Sequence, residues 1–230
     1  IMLRAYPLGV YPAGTVSRVK VTKYEHSTLV ISSDDALLVI DPGMFLTPPD
    51  FAGTVAVVIT HEHGDHWSDQ NLGLILQKAP DAKIYGPAGV VSAAAASGYE
   101  VTVVKAGDII TAEPFTLEVF GDKHAVIHES LPVADNVGVL VNDELYYGGD
   151  SYTAPGKPVG TLAAPIGAPW LKIGDAMDFV LEVKPKRAFY IHDMTLSAAG
   201  KGMASDRLKW ATEKNGGVYK PLEVGDSIDL

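Results

Sequence analysis

The sequence contains no cysteine among its 230 residues. Disulfide bonds, thiolate metal ligands, cysteine-based zinc ribbons and a cysteine nucleophile are therefore excluded. Basic residues are also scarce, since 18 lysines and arginines stand against 28 aspartates and glutamates, for a formal net charge of −10. Nonspecific nucleic-acid binding usually needs a basic face. We therefore expect no nucleic-acid partner.

Long apolar segments are missing as well. No segment approaches the roughly 18 uninterrupted apolar residues of a membrane-spanning helix, and residues 1–7 lack the apolar core of a signal peptide. We therefore expect a cytoplasmic protein without a membrane partner, and a homo-oligomer is compatible with the sequence. A hydrophobic content of 47% is enough for one large core. This predicts a single domain over residues 1–230.

Two stretches of short apolar strands run along the chain, each followed by helix–strand units. In the first stretch, strands are predicted between Val16 and Thr60, followed by helices at Asp69–Lys78 and Pro87–Ser97. In the second, strands between Val101 and Tyr147 precede helices at Asp175–Val183 and Ala204–Lys214 and a terminal strand pair, Val218–Lys220 and Ser227–Leu230. This pattern predicts an α/β (α+β) protein in which two β-sheets pack together with helices outside.

The densest group of potential metal ligands directly follows the apolar run Val55–Ile59. After Thr60 the chain reads His61-Glu62-His63-Gly64-Asp65-His66, so a buried strand delivers three imidazoles and a carboxylate into one loop. His61 and His63 point to one side while Asp65 and His66 reach another, so the cluster can face two metal ions. Imidazole and carboxylate ligands suit Zn²⁺, Fe²⁺ or Mn²⁺. A solvated histidine-rich loop is the alternative, which further ligands downstream disfavour.

Three more ligand-type residues leave the ends of predicted strands, where functional side chains concentrate. His124 follows the strand Phe115–Phe120 and a turn, Asp150 follows Gly148-Gly149, and His192 ends the strand Arg187–Ile191. His128, four residues after His124, is an alternative to His124 as a ligand, although a surface position suits it better. The sequence therefore offers enough ligands for more than one ion.

In order and spacing, these groups resemble the metallo-β-lactamase fold: the HxHxDH cluster, a Gly-x-x-His turn at His124, Gly149-Asp150-Ser151 and the late His192. The resemblance runs from about Val16 to His192 and implies a four-layer αββα sandwich. It also implies two divalent ions as cofactors, zinc first, with manganese or iron as alternatives. The implied ligands are His61, His63 and His124 for one ion, Asp65, His66 and His192 for the other, and Asp150 as the bridge.

Further segments resemble the ascorbate-6-phosphate lactonase-like branch of that fold. They are Tyr24-Glu25-His26-Ser27, Ile40-Asp41-Pro42-Gly43, Pro165-Ile166-Gly167 and Lys184-Pro185-Lys186, whereas Asp193-Met194 replaces the expected aromatic pair. The branch implies that His26 lies near the metals, where it either supports a ligand or touches substrate. Asp41 is a candidate acceptor for a ligand imidazole, with a plain turn as the alternative. Trp170 is a candidate pocket wall, with ordinary packing as the alternative.

These residues predict hydrolysis by a dimetal-activated hydroxide. Asp65 and Asp150 are the predicted catalytic residues, since Asp65 can orient that hydroxide or move its proton and Asp150 can hold both ions. The predicted substrate is a small ester, phosphodiester or (phosphorylated) lactone, preferably anionic because the ions make the pocket locally positive. Lys123 and Lys172 are the basic residues nearest the ligand loops. The alternatives are a metal-binding scaffold or sensor without turnover, and a diiron oxidoreductase.

Overall fold

The computed structural model describes residues 18–230. Strands and helices alternate along this part of the chain as the sequence pattern predicts. The first half contains β1 (Val19–Lys23), β2 (Leu29–Ser33), β3 (Ala36–Ile40), β4 (Thr54–Val58), α1 (Asp69–Lys78), β5 (Lys83–Gly86), α2 (Ala88–Ala95) and β6 (Val101–Val103). The second half contains β7 (Ile109–Ala112), β8 (Phe115–Phe120), β9 (Gly138–Val141), β10 (Leu145–Tyr147), β11 (Thr161–Pro165), α3 (Ile173–Val183), β12 (Arg187–Ile191), α4 (Ala198–Lys214), β13 (Val218–Tyr219) and β14 (Ser227–Asp229).

The strands form two mixed sheets. The first has the order β14-β1-β2-β3-β4-β5-β6, and the second has the order β13-β12-β11-β10-β9-β8-β7. β3 and β4 are parallel, and so are β10, β11 and β12. Parallel neighbours end at the same edge of their sheet. The loop after β3 therefore lies near the loop after β4. In the second sheet, the loop after β10 lies near the loop after β12.

The main core lies between the two sheets. The first sheet contributes residues such as Leu29 and Leu38, and the second contributes residues such as Val139 and Phe189, all fully buried. The helices cover the outer faces: α1 and α2 pack on the first sheet, and α3 and α4 pack on the second. The predicted four-layer αββα sandwich is confirmed. Within residues 18–230, no helix has both the length and the apolar character needed to cross a bilayer.

The predicted terminal strands differ from the structure in their partners, and the predicted last helix differs in its start. The terminal strands do not pair with each other, because β13 joins β12 in one sheet while β14 joins β1 in the other. α4 starts at Ala198 rather than Ala204, since the Ser197 side chain caps it by accepting from the Gly200 N–H. The predicted start of the first strand at Val16 lies outside the described residues.

Candidate metal centre

All seven residues implied as ligands lie together, although they come from positions between 61 and 192 in the chain. They form two groups, and the potential ligand atoms within each group lie within 4.8 Å of one another. The three-histidine group contains His61, His63 and His124, and the mixed group contains Asp65, His66, Asp150 and His192. Each group thus combines residues from the loop after β4 with residues from the second sheet's loops.

The Asp150 carboxylate lies between the two groups. On the three-histidine side, its Oδ2 atom is 3.4 Å from His124 Nε2 and 3.9 Å from His61 Nε2. On the mixed side, Oδ1 is 3.0 Å from His66 Nε2, and Oδ2 is 3.1 Å from His192 Nε2. Imidazole nitrogens from both groups therefore converge on one buried carboxylate, which is the arrangement that a bridging ligand needs.

The backbone that carries Asp150 is held in place by Asn136. The Asp150 N–H donates to Asn136 Oδ1 at 3.0 Å, and Asn136 Nδ2 donates to the Gly148 carbonyl at 3.0 Å. Gly149 has a φ of 62°, and a Cβ atom there would lie 2.5 Å from Asn136 Oδ1. Only glycine fits this combination of left-handed backbone and close contact. Asn136 is a residue that the sequence analysis missed.

Three imidazole nitrogens in the cluster are buried without a hydrogen-bond partner in the described part of the chain: Nε2 of His61, of His124 and of His192. A buried polar atom without a partner costs about 1–3 kcal/mol. These three nitrogens face the Asp150 carboxylate, so a cation bound between them and the carboxylate would compensate for their burial. The nitrogen and carboxylate donor set is the one that divalent transition metals take in proteins. The residues present therefore fit divalent metal ions.

Hydrogen bonds on the far side of the rings orient these imidazoles. His66 Nδ1 donates to Asp41 Oδ2 at 2.7 Å, and His192 Nδ1 donates to the Gly167 carbonyl at 2.6 Å. His124 Nδ1 donates to the carbonyl of the next residue in the chain. A proton on Nδ1 leaves the lone pair of Nε2 free and directed into the cluster, as metal ligation requires.

The Asp41 carboxylate accepts several of the hydrogen bonds that surround the candidate ligands. Its buried carboxylate accepts from the Thr60 N–H, the Thr60 hydroxyl and the Tyr147 hydroxyl, each at 2.7 Å, besides His66. The Thr60 hydroxyl donates to Asp41, so it accepts from His61 Nδ1 at 3.1 Å. Burial and the neighbouring Asp41 raise the pKa of Tyr147 well above its usual range, which keeps it a donor. One carboxylate thus orients a ligand imidazole from each group.

His26 lies directly behind Asp65. The backbone N–H of Met194 donates to His26 Nδ1 at 3.2 Å, so the ring proton sits on Nε2, which donates to Asp65 Oδ2 at 3.2 Å. Burial lowers the pKa of His26, which favours this neutral form. The His26 backbone has a φ of 59°, a left-handed conformation that costs a non-glycine residue about 1–2 kcal/mol. The structure places His26 where it orients a predicted ligand.

Trp170 contacts the Asp150 carboxylate and lies near two of the candidate ligand imidazoles. Its indole Nε1 donates to Asp150 Oδ2 at 2.8 Å. The ring centroid lies 5.7 Å from that of His124, 6.2 Å from that of His192 and 5.3 Å from that of Tyr152. The residue predicted as a wall is therefore also a hydrogen-bond donor to Asp150, a contact that the sequence did not reveal.

His128 lies apart from the cluster. Its ring is exposed, and its Nδ1 accepts from the Ser130 backbone N–H at 3.1 Å and lies 2.7 Å from the Ser130 hydroxyl. His124 is instead buried against Asp150. Of the two histidines that the sequence left open, His124 is the one that the fold brings to the other six.

The charges of the mixed group favour a cation. Burial opposes ionisation of Asp150, but His66 and His192 outweigh it and hold the pKa of Asp150 well below its usual range. Burial likewise opposes ionisation of Asp65, and the neighbouring imidazoles of His192 and His26 still lower its pKa. Burial opposes protonation of His192, yet Asp150 raises its pKa to about 9. The carboxylates stay ionised, and positive charge is drawn to the imidazoles around them.

The three-histidine group behaves differently. Burial, followed by the nearby His66, lowers the pKa of His61 well below its usual range. Burial, followed by His124, also lowers the pKa of His63, which is half-buried. These imidazoles remain neutral, which is the form that binds a metal ion. This group supplies nitrogen ligands without a negative charge of its own.

Asp193-Met194 stands where the resemblance implied an aromatic pair, and Asp193 has a structural role of its own. Asp193, next to His192, forms a buried ion pair with Lys23 at 3.0 Å, and the Lys23 side chain is fully buried. Lys201 lies 3.5 Å from the same carboxylate. Because a buried lysine needs a charged partner, this pair ties the loop after β12 to β1. The role of Lys23 could not be predicted from the sequence, since this lysine lies at a strand end among polar neighbours.

The comparisons with known proteins agree with this geometry. A profile of the beta-lactamase superfamily domain matches residues 20–192. The chain is 34% identical over 196 residues to Protein Rv0786c from Mycobacterium tuberculosis, an alignment that covers 83% of this chain and 91% of that protein. The chain belongs to the beta-lactamase superfamily.

Solved structures share its fold. The metallo hydrolase Igni18 from Ignicoccus hospitalis aligns with a TM-score of 0.70 and 18% identity, over 93% of this chain and 99% of that one. The diiron β-hydroxylase CmlA from Streptomyces venezuelae aligns with a TM-score of 0.73 and 14% identity, over 96% of this chain and 55% of that one. The predicted metallo-β-lactamase fold of metal-dependent hydrolases is confirmed. The ascorbate-6-phosphate lactonase-like branch stays a prediction.

Proposed function

We propose that this chain is a dinuclear metal-dependent hydrolase of a small ester, phosphodiester or lactone, with zinc as the first choice of metal. The observation that carries the proposal is the position of the Asp150 carboxylate, within 4 Å of imidazole nitrogens from both ligand groups. His61, His63 and His124 would hold one ion, Asp65, His66 and His192 the other, with Asp150 between them. Manganese and iron fit the same donors.

When bound, the metals supply Lewis acidity and make water a nucleophile at neutral pH. Asp65 is suited to handle the proton of that water, because its side chain is 28% exposed whereas the Asp150 side chain is 3% exposed. His26 donates to one Asp65 oxygen and fixes the orientation of the other. Trp170 donates to the Asp150 carboxylate. Asp65 thus acts in catalysis, while His26 and Trp170 act as positioning residues.

The cationic groups that an anionic substrate would need are already paired. Lys123 lies 2.7 Å from Asp135, and Lys172 lies 3.5 Å from Asp175. Pairs as exposed as these are worth only about 0–1 kcal/mol, so a substrate can still displace the carboxylate. An anionic substrate remains part of the proposal, although its attraction then comes mainly from the metals.

Two exposed apolar side chains lie near Asp65 and His26. Met44 is 63% exposed, and its backbone N–H donates to the Gly64 carbonyl in the ligand loop. Phe45 is 36% exposed, and its ring lies 5.0 Å from that of His26. Exposed apolar groups next to a polar site favour a substrate with an apolar substituent. Within the proposed class, this favours a lactone or carboxylic ester over a phosphodiester.

The test is a parallel assay of the zinc-loaded protein with uncharged lactones, p-nitrophenyl esters, a phosphorylated lactone and bis-(p-nitrophenyl) phosphate. Metal content is measured on the same sample, and the Asp150→Asn variant supplies the background rate. We expect two ions per chain and turnover of at least one ester or lactone above that background. Two bound ions without turnover of any substrate would support the scaffold or sensor alternative instead.

The diiron alternative is tested with the iron-loaded protein. An oxidoreductase would show visible absorption from the iron pair and would consume O₂ with a reductant present, whereas a hydrolase would not need either. The fold shared with CmlA does not distinguish the two, since the same donors accept iron or zinc. The cytoplasmic location and the absence of nucleic-acid partners stay predictions, and so does any homo-oligomer.

A further inference from the structure

A second cavity lies beside the metal centre, between the loop of residues 166–171 and α4. Its volume is about 380 Å³, which lies within the range of about 300–1,000 Å³ that is usual for small-molecule sites. The side chains that line it are mainly apolar. They include Ile166, Leu171, Ile173, Leu196, Met203 and Ala204. The lining includes none of the seven candidate metal ligands, so this is a separate site.

One cation also lines this cavity. Arg207 is exposed, and among residues 18–230 its guanidinium has no ion pair or hydrogen bond. Lys201, one and a half turns earlier on α4, is by contrast paired with Glu223 at 2.6 Å. Met203 lies one turn before Arg207 on the same helix face and is 70% exposed. An apolar cavity lined by a guanidinium that no other described residue pairs with complements a ligand that has an apolar chain and an anionic group.

The cavity and the metal centre share one loop. Gly167 lines the cavity, and its carbonyl accepts from His192 Nδ1 at 2.6 Å. Trp170, which donates to Asp150, stands immediately before the cavity-lining Leu171. A Cβ atom on Gly167 would lie 2.5 Å from the Leu196 side chain, so the loop is packed closely on the cavity wall. A ligand in the cavity would therefore touch the loop that orients two candidate metal-site residues.

We propose that this cavity binds an amphipathic anion, such as a carboxylate on a medium-length alkyl chain. The chain lies among Ile166, Leu171 and Leu196, and the anionic group lies on Arg207. The proposal does not depend on hydrolysis, because binding is measured on metal-free protein. Its failure would leave the proposed function untouched, and failure of the hydrolase assays would leave this site untouched.

The test measures decanoate binding to the full chain by titration calorimetry, below the micelle concentration and after chelation of metal. We expect saturable binding at one site. Arg207→Gln should weaken it about two- to fivefold, the range of an exposed ion pair, and Ala204→Phe should weaken it about tenfold or more by filling the cavity. Lys209→Gln is the matched control, since Lys209 is exposed on the same helix but does not line the cavity.

An uncharged probe keeps the test decisive if Ala204→Phe does not fold. Binding of 1-decanol should not change in Arg207→Gln, whereas binding of decanoate should weaken. Circular dichroism and thermal unfolding show which variants are folded. The proposal is overturned if wild-type protein does not bind decanoate, or if Arg207→Gln and Lys209→Gln bind it equally. It is also overturned if folded Ala204→Phe binds as wild type does.

Discussion

The two ligand groups of the metal centre differ in charge and in support. The three-histidine group has only imidazoles, and one of them, His63, is half-exposed. The mixed group adds Asp65 to the carboxylate of Asp150, and both His66 and His192 are fixed by strong outward hydrogen bonds. A cation is stabilised more by ionised carboxylates than by neutral nitrogens at similar distance. We expect the mixed group to bind its ion more tightly, and the other group to depend on Asp150 for negative charge.

Removing the charge of Asp150 should have the largest effect on metal binding by the two groups. In Asp150→Asn, His61 and His124 would lose the charge of the carboxylate that lies within 4 Å of them, while the mixed group would keep Asp65. We expect one ion per chain at most after dialysis. The fall in rate should exceed the roughly 10–100-fold that is typical of residues behind the ligands. Elemental analysis and the ester assay measure both effects, and two retained ions at the wild-type rate would refute the bridging role.

Asp41→Asn weakens the hydrogen bonds that orient His66 directly and His61 through Thr60, without changing a candidate ligand. The amide cannot accept from His66, Thr60 and Tyr147 as a carboxylate does. We expect affinity for the more tightly held ion to fall about 10–100-fold, measured by competition with a coloured chelator. Asp34→Asn is the control, since Asp34 has the same φ of 50° but is exposed in a turn. Equal metal affinity in the two variants would show that Asp41 has only a turn role.

Trp170→Phe removes the indole hydrogen bond to the Asp150 carboxylate. A hydrogen bond to a charged group contributes about 1.5–3 kcal/mol, and Trp170 is partly exposed, so we expect the rate to fall about tenfold. Metal binding should also change the fluorescence of Trp170, because its indole touches a ligand at 2.8 Å. Trp210→Phe is the control, since Trp210 is 50% exposed on α4. Trp67 follows His66 and should give a smaller change of its own, so a change in Trp170→Phe as large as that of the wild type would contradict the contact.

The sequence indicated which candidate ligands the fold would bring together, because these residues lie at or just after strand ends. Four candidate ligands fall within the six positions that follow one apolar run: His61, His63, Asp65 and His66. Parallel strands then bring the loops that carry the other candidate ligands to the same place. The strands of both sheets could also be predicted, because apolar runs and turn residues mark each strand. α1 and β8 have the bounds that were predicted, because a serine cap and a proline–glycine context delimit them.

The contacts that could not be predicted from the sequence join residues that lie far apart in the chain. Trp170 meets Asp150 and Lys23 meets Asp193 across 20 and 170 positions of chain. Nothing in a tryptophan or a strand-end lysine indicates which carboxylate it will face. The left-handed backbone at His26 was equally hidden, because only the surrounding structure holds a non-glycine residue there. The partners of β13 and β14 were missed for the same reason.

The smallest expected effect comes from His128, and it sharpens the assignment of the three-histidine group. His128 is exposed and bonded to Ser130, so His128→Ala should change unfolding free energy by no more than about 0.5 kcal/mol and leave the metal content unchanged. His124 is buried, with Nε2 3.4 Å from Asp150 Oδ2, so His124→Ala should lose the ion of its group. Metal analysis of the two variants side by side decides between them. If His128→Ala loses an ion while His124→Ala retains both, the loop that carries them binds metal in a different conformation and the three-histidine group must be redrawn.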